Sequence, residues 1–199
     1  MSADRYLTLA GESTGTYREK ASKFIGYAFP ISDEAGFRAR CEAIAKAEHS
    51  ARHCCYAWVL GPDDARHRAN DAGEPAGTAG RPILRQLQAR GLTQAAVVVV
   101  RYFGGTLLGK AGLVHAYGEA AHAALDAGTT IARVVRGTLT VTCGYEHMQR
   151  VKRDAVLHDG EVLYAELTDR CVLHVAVALG ALEALAAQWR QDGLAVDQK

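Results

Sequence analysis

The segment AAVVVVRYF, residues 95–103, contains four consecutive valines and ends in an arginine and two aromatic residues. A short, continuous apolar run is typical of a strand covered on both faces, so we expect it in the centre of a sheet. Two glycines at 104–105 end this strand.

The helix predicted over about 113–127 points Leu113, Tyr117, Ala120, Ala121 and Ala124 inward and carries His115, Glu119, His122 and Asp126 on its polar stripe.

Strands and helices are also predicted upstream. Residues 14–31 indicate two strands joined by a turn near 20–22, followed by a helix that ends near His49. Residues 54–60, CCYAWVL, indicate another strand, and the polar residues 61–80 indicate a loop. We expect Pro82 in the first position of the next helix, because the N–H group that proline lacks is unused there.

A second unit is predicted to begin near Arg136. Strand patterns at 137–143, 161–167 and 171–179 alternate with helix patterns at 146–158 and 181–191, and residues 194–196 are expected to close the sheet. The order βαββαβ in about 60 residues is typical of a ferredoxin-like sandwich. The chain is therefore predicted to be an α+β protein with two domains, residues 1–135 and 136–199.

The composition indicates a cytoplasmic protein. No apolar run approaches the roughly 20 residues that span a bilayer, and the N-terminal residues MSADRYLTLAGES lack the basic and apolar regions of a signal peptide. The five cysteines, Cys41, Cys54, Cys55, Cys143 and Cys171, are odd in number and include no C-x-x-C pair, so neither a disulfide framework nor a zinc site is indicated. We expect neither a metal nor a cofactor.

Charge is distributed unevenly, although the formal net charge is only +1. Residues 75–118 contain no Asp or Glu, and they hold five permanent cations: Arg81, Arg85, Arg90, Arg101 and Lys110. A local excess of this kind can attract an anionic partner. The alternative is that these are ordinary solvated side chains scattered around the fold.

The segment DAGEPAGTAGRPIL, residues 71–84, forms the end of the predicted loop and the start of the next helix. Gly73, Gly77 and Gly80 permit a left-handed backbone or a close approach, and successive N–H groups in such a loop can bind an anion at a helix N-terminus. The pattern G-x-x-x-x-G-K-[ST] is absent and both prolines lack N–H groups, which argues against a nucleotide site.

Three side chains near this loop are candidates for catalysis: Asp71, Glu74 and His53. General acid–base chemistry needs two groups in different environments across a substrate, and the sequence leaves their geometry open. A structural role for the carboxylates is favoured, because Arg101 ends a strand that is expected to be buried and needs a partner of opposite charge. We expect either Asp71 or Glu74 to pair with Arg101.

Residues 101–110, RYFGGTLLGK, interleave cations, aromatic rings and glycines. Such mixtures suit nucleic acids, because cations contact phosphates and rings stack on bases. The alternative is that Tyr102 and Phe103 fill the core and that Gly104 and Gly105 only turn the chain.

These motifs together resemble the IMPACT family, including its bacterial YigZ-like members. The resemblance rests on DAGEPAGTAGRPIL at 71–84, VVVVRYFGGTLLGKAGLVHAYGEAA at 97–121, SKFIGYAFPI at 22–31 and HCCYAW at 53–58, and it covers most of residues 15–125. The chain departs from the family pattern at Ala72, where an Asp is usual, and at His115, where an Arg is usual. Position 115 therefore carries a cation only at lower pH.

The resemblance implies an N-terminal domain similar to domain IV of elongation factor G and to the second domain of a small-subunit ribosomal protein. It implies a C-terminal domain similar to domain V of elongation factor G, in agreement with the βαββαβ order. It also implies a part in translation, because the eukaryotic relatives regulate translation initiation by binding a large ribosome-associated activator. RNA or ribosome binding is inferred for the bacterial branch from the fold.

The first hypothesis is therefore a non-enzymatic protein that binds RNA or the ribosome and modulates translation. Its contacts are expected from Arg81, Arg85, Arg101, Lys110, His115, Thr78 and Tyr102, with close backbone approach at Gly73, Gly77, Gly80, Gly104, Gly105, Gly109 and Gly112. The alternatives are an enzyme of unknown substrate that uses Asp71, Glu74 and His53, and a regulator that binds a protein partner through the same surface.

Overall fold

The computed structural model describes residues 4–61 and 66–198, which form two compact units. The first unit comprises residues 6–133, and the second comprises residues 134–198 together with Asp4 and Arg5. Both units combine helices with antiparallel sheets, so the α+β prediction is confirmed. Of the helices within the described ranges, none combines the length and the apolarity that crossing a bilayer requires.

The first unit is built on a five-stranded antiparallel sheet. Its elements are β1 (Arg5–Leu9), β2 (Ser13–Glu19), β3 (Ser22–Pro30), α1 (Glu34–Ala47), β4 (His53–Leu60), β5 (Arg66–Asn70), α2 (Gly80–Ala89), β6 (Ala95–Tyr102), α3 (Gly109–Asp126) and β7 (Thr130–Val134). Only the first residue of β1 and the last residue of β7 are counted in the second unit. The strand order is β2–β3–β6–β4–β5, and β1 pairs separately with β7. The valine-rich strand β6 lies in the middle of the sheet, as predicted.

Both faces of β6 are covered, which explains its four consecutive valines. Val97 and Val99 belong to the apolar cluster beneath α2 and α3, whereas Val98 and Val100 belong to the cluster beneath α1 on the opposite face. All four side chains are fully buried. Helix α3 packs on β2 and β3, and α2 packs on β4 and β5, so the two helices lie side by side on one face of the sheet.

Three local predictions are wrong. Residues 66–70 are not part of a loop, because the polar stretch RHRAN forms the edge strand β5 through backbone pairing with β4. Helix α2 begins at Gly80, so Pro82 occupies its third position instead of its first. Helix α3 begins at Gly109, ahead of the predicted start near residue 113. Residues 62–65 of the predicted loop lie outside the described residues.

The second unit has the predicted ferredoxin-like arrangement. Its elements are β8 (Arg136–Cys143), α4 (Tyr145–Leu157), β9 (Glu161–Leu167), β10 (Cys171–Ala178), α5 (Leu179–Gln191) and β11 (Ala195–Gln198). The sheet order β11–β8–β10–β9 has every neighbouring pair antiparallel, which is the arrangement expected of a βαββαβ sandwich. Leu139, Val141 and Leu173 of the sheet share one apolar core with Leu185 and Trp189 of α5.

The contact between β2 and α3 depends on the absence of a side chain at Gly15. A Cβ atom at this position would lie 2.3 Å from the carbonyl carbon of Ala123 and 2.3 Å from the amide nitrogen of Ala124. We therefore expect Gly15→Ala to lower the free energy of unfolding by about 1–3 kcal/mol, measured by urea denaturation. Gly11→Ala is the control, since nothing lies within 4 Å of a Cβ atom there. Equal effects of the two substitutions would contradict this packing.

Candidate functional site

The candidate site lies at the end of β6, where the glycine-rich segments begin. Phe24 of β3, Arg101 of β6 and His53 of β4 are neighbours in register across three strands. The loop that leads into α2 contributes Glu74 to this row, and α3 contributes Tyr117. Elements that are distant in sequence therefore meet at one end of the sheet.

A buried ion pair holds the loop on the sheet. Arg101 Nη1 donates a hydrogen bond of 2.7 Å to Glu74 Oε1, and the two side chains are only 8% and 4% exposed. The Tyr117 hydroxyl donates a second hydrogen bond, of 2.8 Å, to the same carboxylate oxygen. The prediction that Asp71 or Glu74 pairs with Arg101 is confirmed, with Glu74 as the partner. Because an unpaired buried charge is strongly destabilising, this contact fixes the position of the loop.

Arg101 also lies between two aromatic rings. Its guanidinium carbon is 5.6 Å from the ring centre of Phe24 and 5.4 Å from the ring centre of Phe103, distances at which a cation is attracted to a ring. Its Nε atom is buried and makes no hydrogen bond within the described part of the chain. Arg101 is therefore not part of the exposed basic surface, which corrects its assignment as a phosphate contact.

Asp71 organises the loop from within. Its Oδ2 atom accepts the N–H of Gly77 at 2.8 Å, and its Oδ1 atom accepts the N–H groups of Ala79 at 2.9 Å and Gly80 at 2.8 Å. Burial raises the pKa of this carboxyl group, but the three N–H donors outweigh burial and hold the pKa below its usual value. The carboxylate thus caps the N-terminus of α2 from a position nine residues upstream of Gly80.

The three candidate catalytic groups are each engaged by a structural partner. His53 Nδ1 lies 2.9 Å from the carbonyl oxygen of Ala72, and its Nε2 atom lies 4.0 Å from Glu74 Oε1. Glu74 is held by Arg101, and both carboxylate oxygens of Asp71 accept backbone N–H groups. This geometry favours structural roles for all three groups over proton transfer to a substrate.

The thiol closest to this cluster is that of Cys55, which donates to the carbonyl oxygen of Asp71 at 3.0 Å. Burial raises the pKa of Cys55 to about 12. A thiol with this pKa stays protonated near neutral pH, and the protonated form is a poor nucleophile. Within residues 4–61 and 66–198, no three His, Cys, Asp or Glu side chains form a group suited to a metal ion.

Helices α2 and α3 run parallel, so their N-termini lie at the same end of the unit. Pro82, near the start of α2, lies beside the middle of α3, where a Cβ atom on Gly118 would lie 4.0 Å from the Cβ of Pro82. Near the ends of both helices, Arg90 Nη2 donates to Asp126 Oδ1 at 2.6 Å. Neither helix has an acidic residue in its first turn. We call residues 71–79, residues 103–108 and the first two turns of α2 and α3 the glycine-loop face.

Exposed cations and a shallow pocket mark the glycine-loop face. Arg81, Arg85 and Lys110 are exposed, and so is His115, whose ring packs edge-on against Tyr17 with ring centres 5.6 Å apart. The pocket has a volume of about 390 Å³ and is lined by Ala69, Asp71, Ala76, Gly77 and Arg81. Four of the predicted contact residues therefore lie on the outer surface of the two helices.

Tyr102 lies outside the glycine-loop face and the Thr78 side chain is buried beneath it, which corrects their assignment as partner contacts. Side chains alternate along a strand, and Tyr102 packs in the cluster beneath α1, where its hydroxyl donates to Glu48, as does that of Tyr27. Thr78 is buried, and its hydroxyl donates to the carbonyl oxygen of Pro75 at 2.7 Å. Both residues stabilise the fold.

Gly104 permits a close contact between two backbone segments. A Cβ atom at this position would lie 2.1 Å from the carbonyl carbon of Ala21, in the turn between β2 and β3. The Gly104 N–H also donates to the Ser22 hydroxyl at 3.1 Å. The other predicted glycines lie in the loop, after β6 or at helix starts: Gly73, Gly77, Gly105 and Gly109 have positive φ, and Gly80 and Gly112 lie in the first turns of α2 and α3.

Comparison with known proteins assigns the chain that carries this site to a family. The Impact N-terminal domain matches residues 20–125. A protein of Escherichia coli described as IMPACT family member YigZ is 37% identical over 177 residues, which are 87% of this chain and 86% of that protein. An IMPACT family member of Haemophilus influenzae is 34% identical over 85% of this chain and 83% of that protein. The chain belongs to the IMPACT family.

One solved structure agrees closely with the fold of this IMPACT family member. A crystal structure described as that of a hypothetical protein has a TM-score of 0.73 and 32% identity, and the match covers 97% of this chain and 96% of that chain. A structure of the two-domain translational regulator Yih1 has a TM-score of 0.36 and 23% identity over 61% of this chain and 47% of that chain. The second similarity is too low to support an argument about function.

The structure adds to the sequence at two residues of this IMPACT site, Tyr117 and Phe103. The sequence predicts Tyr117 only as a core residue, whereas its hydroxyl also contacts Glu74. For Phe103 the sequence leaves open a ring that stacks on bases and a ring that fills the core, and its side chain is 48% exposed. Helical periodicity gives the direction of a side chain but not the partner of its polar tip. The sequence signal for an exposed ring at Phe103 is its position at the end of the strand, after Arg101 and Tyr102 and directly before two glycines.

Replacing Glu74 is expected to destabilise the protein strongly. Glu74→Gln removes the charge that neutralises Arg101, and breaking a buried pair costs about 3–5 kcal/mol of the free energy of unfolding. The control is Glu161→Gln, which breaks the exposed pair of Glu161 with Arg136 and is expected to cost about 0–1 kcal/mol. Urea denaturation of both variants checks this, and similar losses would contradict the assigned role of the buried pair.

The contribution of Asp71 to stability is expected to depend on pH. Because the folded state lowers the pKa of Asp71, its stabilising effect is complete above the unfolded value of about 3.9 and is lost as the pH falls through the folded value. The difference in unfolding free energy between the wild type and Asp71→Asn should therefore be largest at roughly pH 6–7. It should shrink below about pH 4. Urea denaturation at several pH values measures it. A difference that does not change with pH would show that the charge of Asp71 is unimportant.

Proposed function

We propose that this IMPACT family member binds structured RNA, with the ribosome as its expected partner, and thereby modulates translation. The glycine-loop face is the proposed contact surface, and Arg81, Arg85 and Lys110 are the proposed phosphate contacts. The observation that carries this proposal is the pair of parallel helix N-termini, each with an exposed cation in its first turn. Membership of a family whose eukaryotic members regulate translation initiation supports the link to translation.

The helix ends favour an anionic partner for a physical reason. The first N–H groups of a helix have no partner within the helix and give its N-terminus a partial positive charge. Asp71 satisfies part of this demand in α2. At the start of α3, Leu108 provides no side-chain cap, and the adjacent Lys110 is exposed. The start of α3 is therefore the stronger candidate for a direct phosphate contact.

The division of the five cations between residues 75 and 118 also supports this surface. Arg101 is neutralised inside by Glu74, and Arg90 is paired with Asp126 at the far end of the two helices. Arg81, Arg85 and Lys110 remain exposed around the helix starts. A cluster of exposed cations next to helix N-termini is the electrostatic pattern that a phosphate backbone recognises.

Co-sedimentation with purified ribosomes and ribosomal subunits across a salt series tests this proposal. Binding of the wild type is expected to weaken steeply as salt rises, because contacts with phosphates release bound counterions. Arg81→Glu/Lys110→Glu reverses the two first-turn cations and is expected to abolish binding. Circular dichroism of the variant confirms that it folds.

The matched control reverses two exposed cations of α1, on the opposite face of the sheet, in the variant Arg38→Glu/Lys46→Glu. This variant is expected to bind ribosomes like the wild type. Binding that does not respond to salt, or an equal loss in the control, would contradict the proposed surface. Retention of a defined protein after nuclease treatment would instead indicate a protein partner on the same surface.

A further inference from the structure

Phe103 forms the outer layer of a stack that begins in the core. The order is Phe24, the guanidinium group of Arg101 and then Phe103, with the guanidinium carbon 5.6 Å and 5.4 Å from the two ring centres. Phe24 is fully buried, Arg101 is 7% exposed and Phe103 is 48% exposed. The inner side of the Phe103 ring thus has a partner, while about half of the side chain faces solvent.

The inner side of this ring and the residue that follows it both have fixed partners. Arg101 is fixed by Glu74, and Phe24 packs edge-on against Tyr117 with ring centres 5.1 Å apart. The residue after Phe103 is locked by the backbone contact of Gly104 with the β2–β3 turn. An aromatic ring whose position is fixed before binding loses little conformational entropy when a ligand stacks on it.

We propose that Phe103 is a stacking platform for one unpaired nucleobase of the RNA that binds the glycine-loop face. The inference rests on the proposed function and adds a preference for structured RNA that presents an unpaired base, either in a single-stranded loop or splayed out of a helix. Bases within an A-form duplex are stacked on one another, so their faces are not available to a protein ring. Stacking of this kind accepts any base, because every base has a π face.

The charge around Phe103 favours a nucleotide over an apolar protein side chain as its ligand. Lys20 is exposed in the turn that Gly104 contacts, next to Glu19, which accepts a hydrogen bond from Tyr17, and Lys110 is exposed in the first turn of α3. The start of α3, which has no side-chain cap, adds a partial positive charge. A nucleotide offers both a ring for Phe103 and a phosphate for these cations.

Fluorescence anisotropy with two labelled RNA probes tests the platform. One probe is a single strand of mixed sequence and about 12 nucleotides, and the other is the duplex of the same sequence. The wild type is expected to bind the single strand more tightly than the duplex. Phe103→Leu keeps an apolar side chain without a π face and is expected to weaken single-strand binding by roughly tenfold while leaving duplex binding unchanged. Phe103→Trp retains an aromatic ring and is expected to keep single-strand binding.

Tyr164→Leu is the matched control, because Tyr164 carries a ring that is 51% exposed in β9, outside the glycine-loop face. It is expected to bind both probes like the wild type. If Phe103→Leu binds the single strand as tightly as the wild type, or loses both probes equally, the platform is wrong while RNA binding by the cations stands. If the wild type binds neither probe even at low salt, RNA binding by this face fails and the platform fails with it.

Discussion

The ion pair of Glu74 and Arg101 determines how one end of the first unit is built. Glu74 belongs to a loop, Arg101 to the central strand and Tyr117 to α3, so one carboxylate oxygen joins three elements. In the interior each charge stabilises the other, and loss of either would leave a charge that water cannot reach. Asp71 then fixes the end of the same loop to the start of α2. The path of the glycine-rich chain follows from these two carboxylates.

The same pair divides the cations of this region into two groups. A cation that contacts phosphate must exchange its water for the ligand, and Arg101 cannot do so without leaving its buried partner. Arg81 and Lys110, which lie in the first turns of two parallel helices, have no such constraint because they are exposed. The structural role of positive charge and its proposed binding role therefore fall to different residues within one sequence window without acidic residues.

Much of the fold could be predicted from the sequence because the core patterns are strong. Four consecutive valines indicate a strand buried on both faces, and β6 has that position. The need of a buried Arg101 for a counter-charge identifies Glu74 as one of two candidates. Strand β5 could not be predicted, since RHRAN is held by backbone pairing at a sheet edge and its polar side chains show no alternation. The start of α2 could not be predicted either, because its capping carboxylate, Asp71, is distant in sequence.

The three residues after the valines show why composition alone cannot assign the site. Side chains alternate along β6, so Arg101 enters the cluster beneath α3 and Tyr102 the cluster beneath α1. Phe103 returns to the side of Arg101, but the strand ends at Tyr102 and the ring stands beyond the sheet, where it covers the guanidinium and meets solvent. Neighbouring residues thus form a buried ion pair, a hydrogen bond to Glu48 and an exposed ring. Their roles follow from the point at which the strand stops, between Tyr102 and the close backbone contact at Gly104.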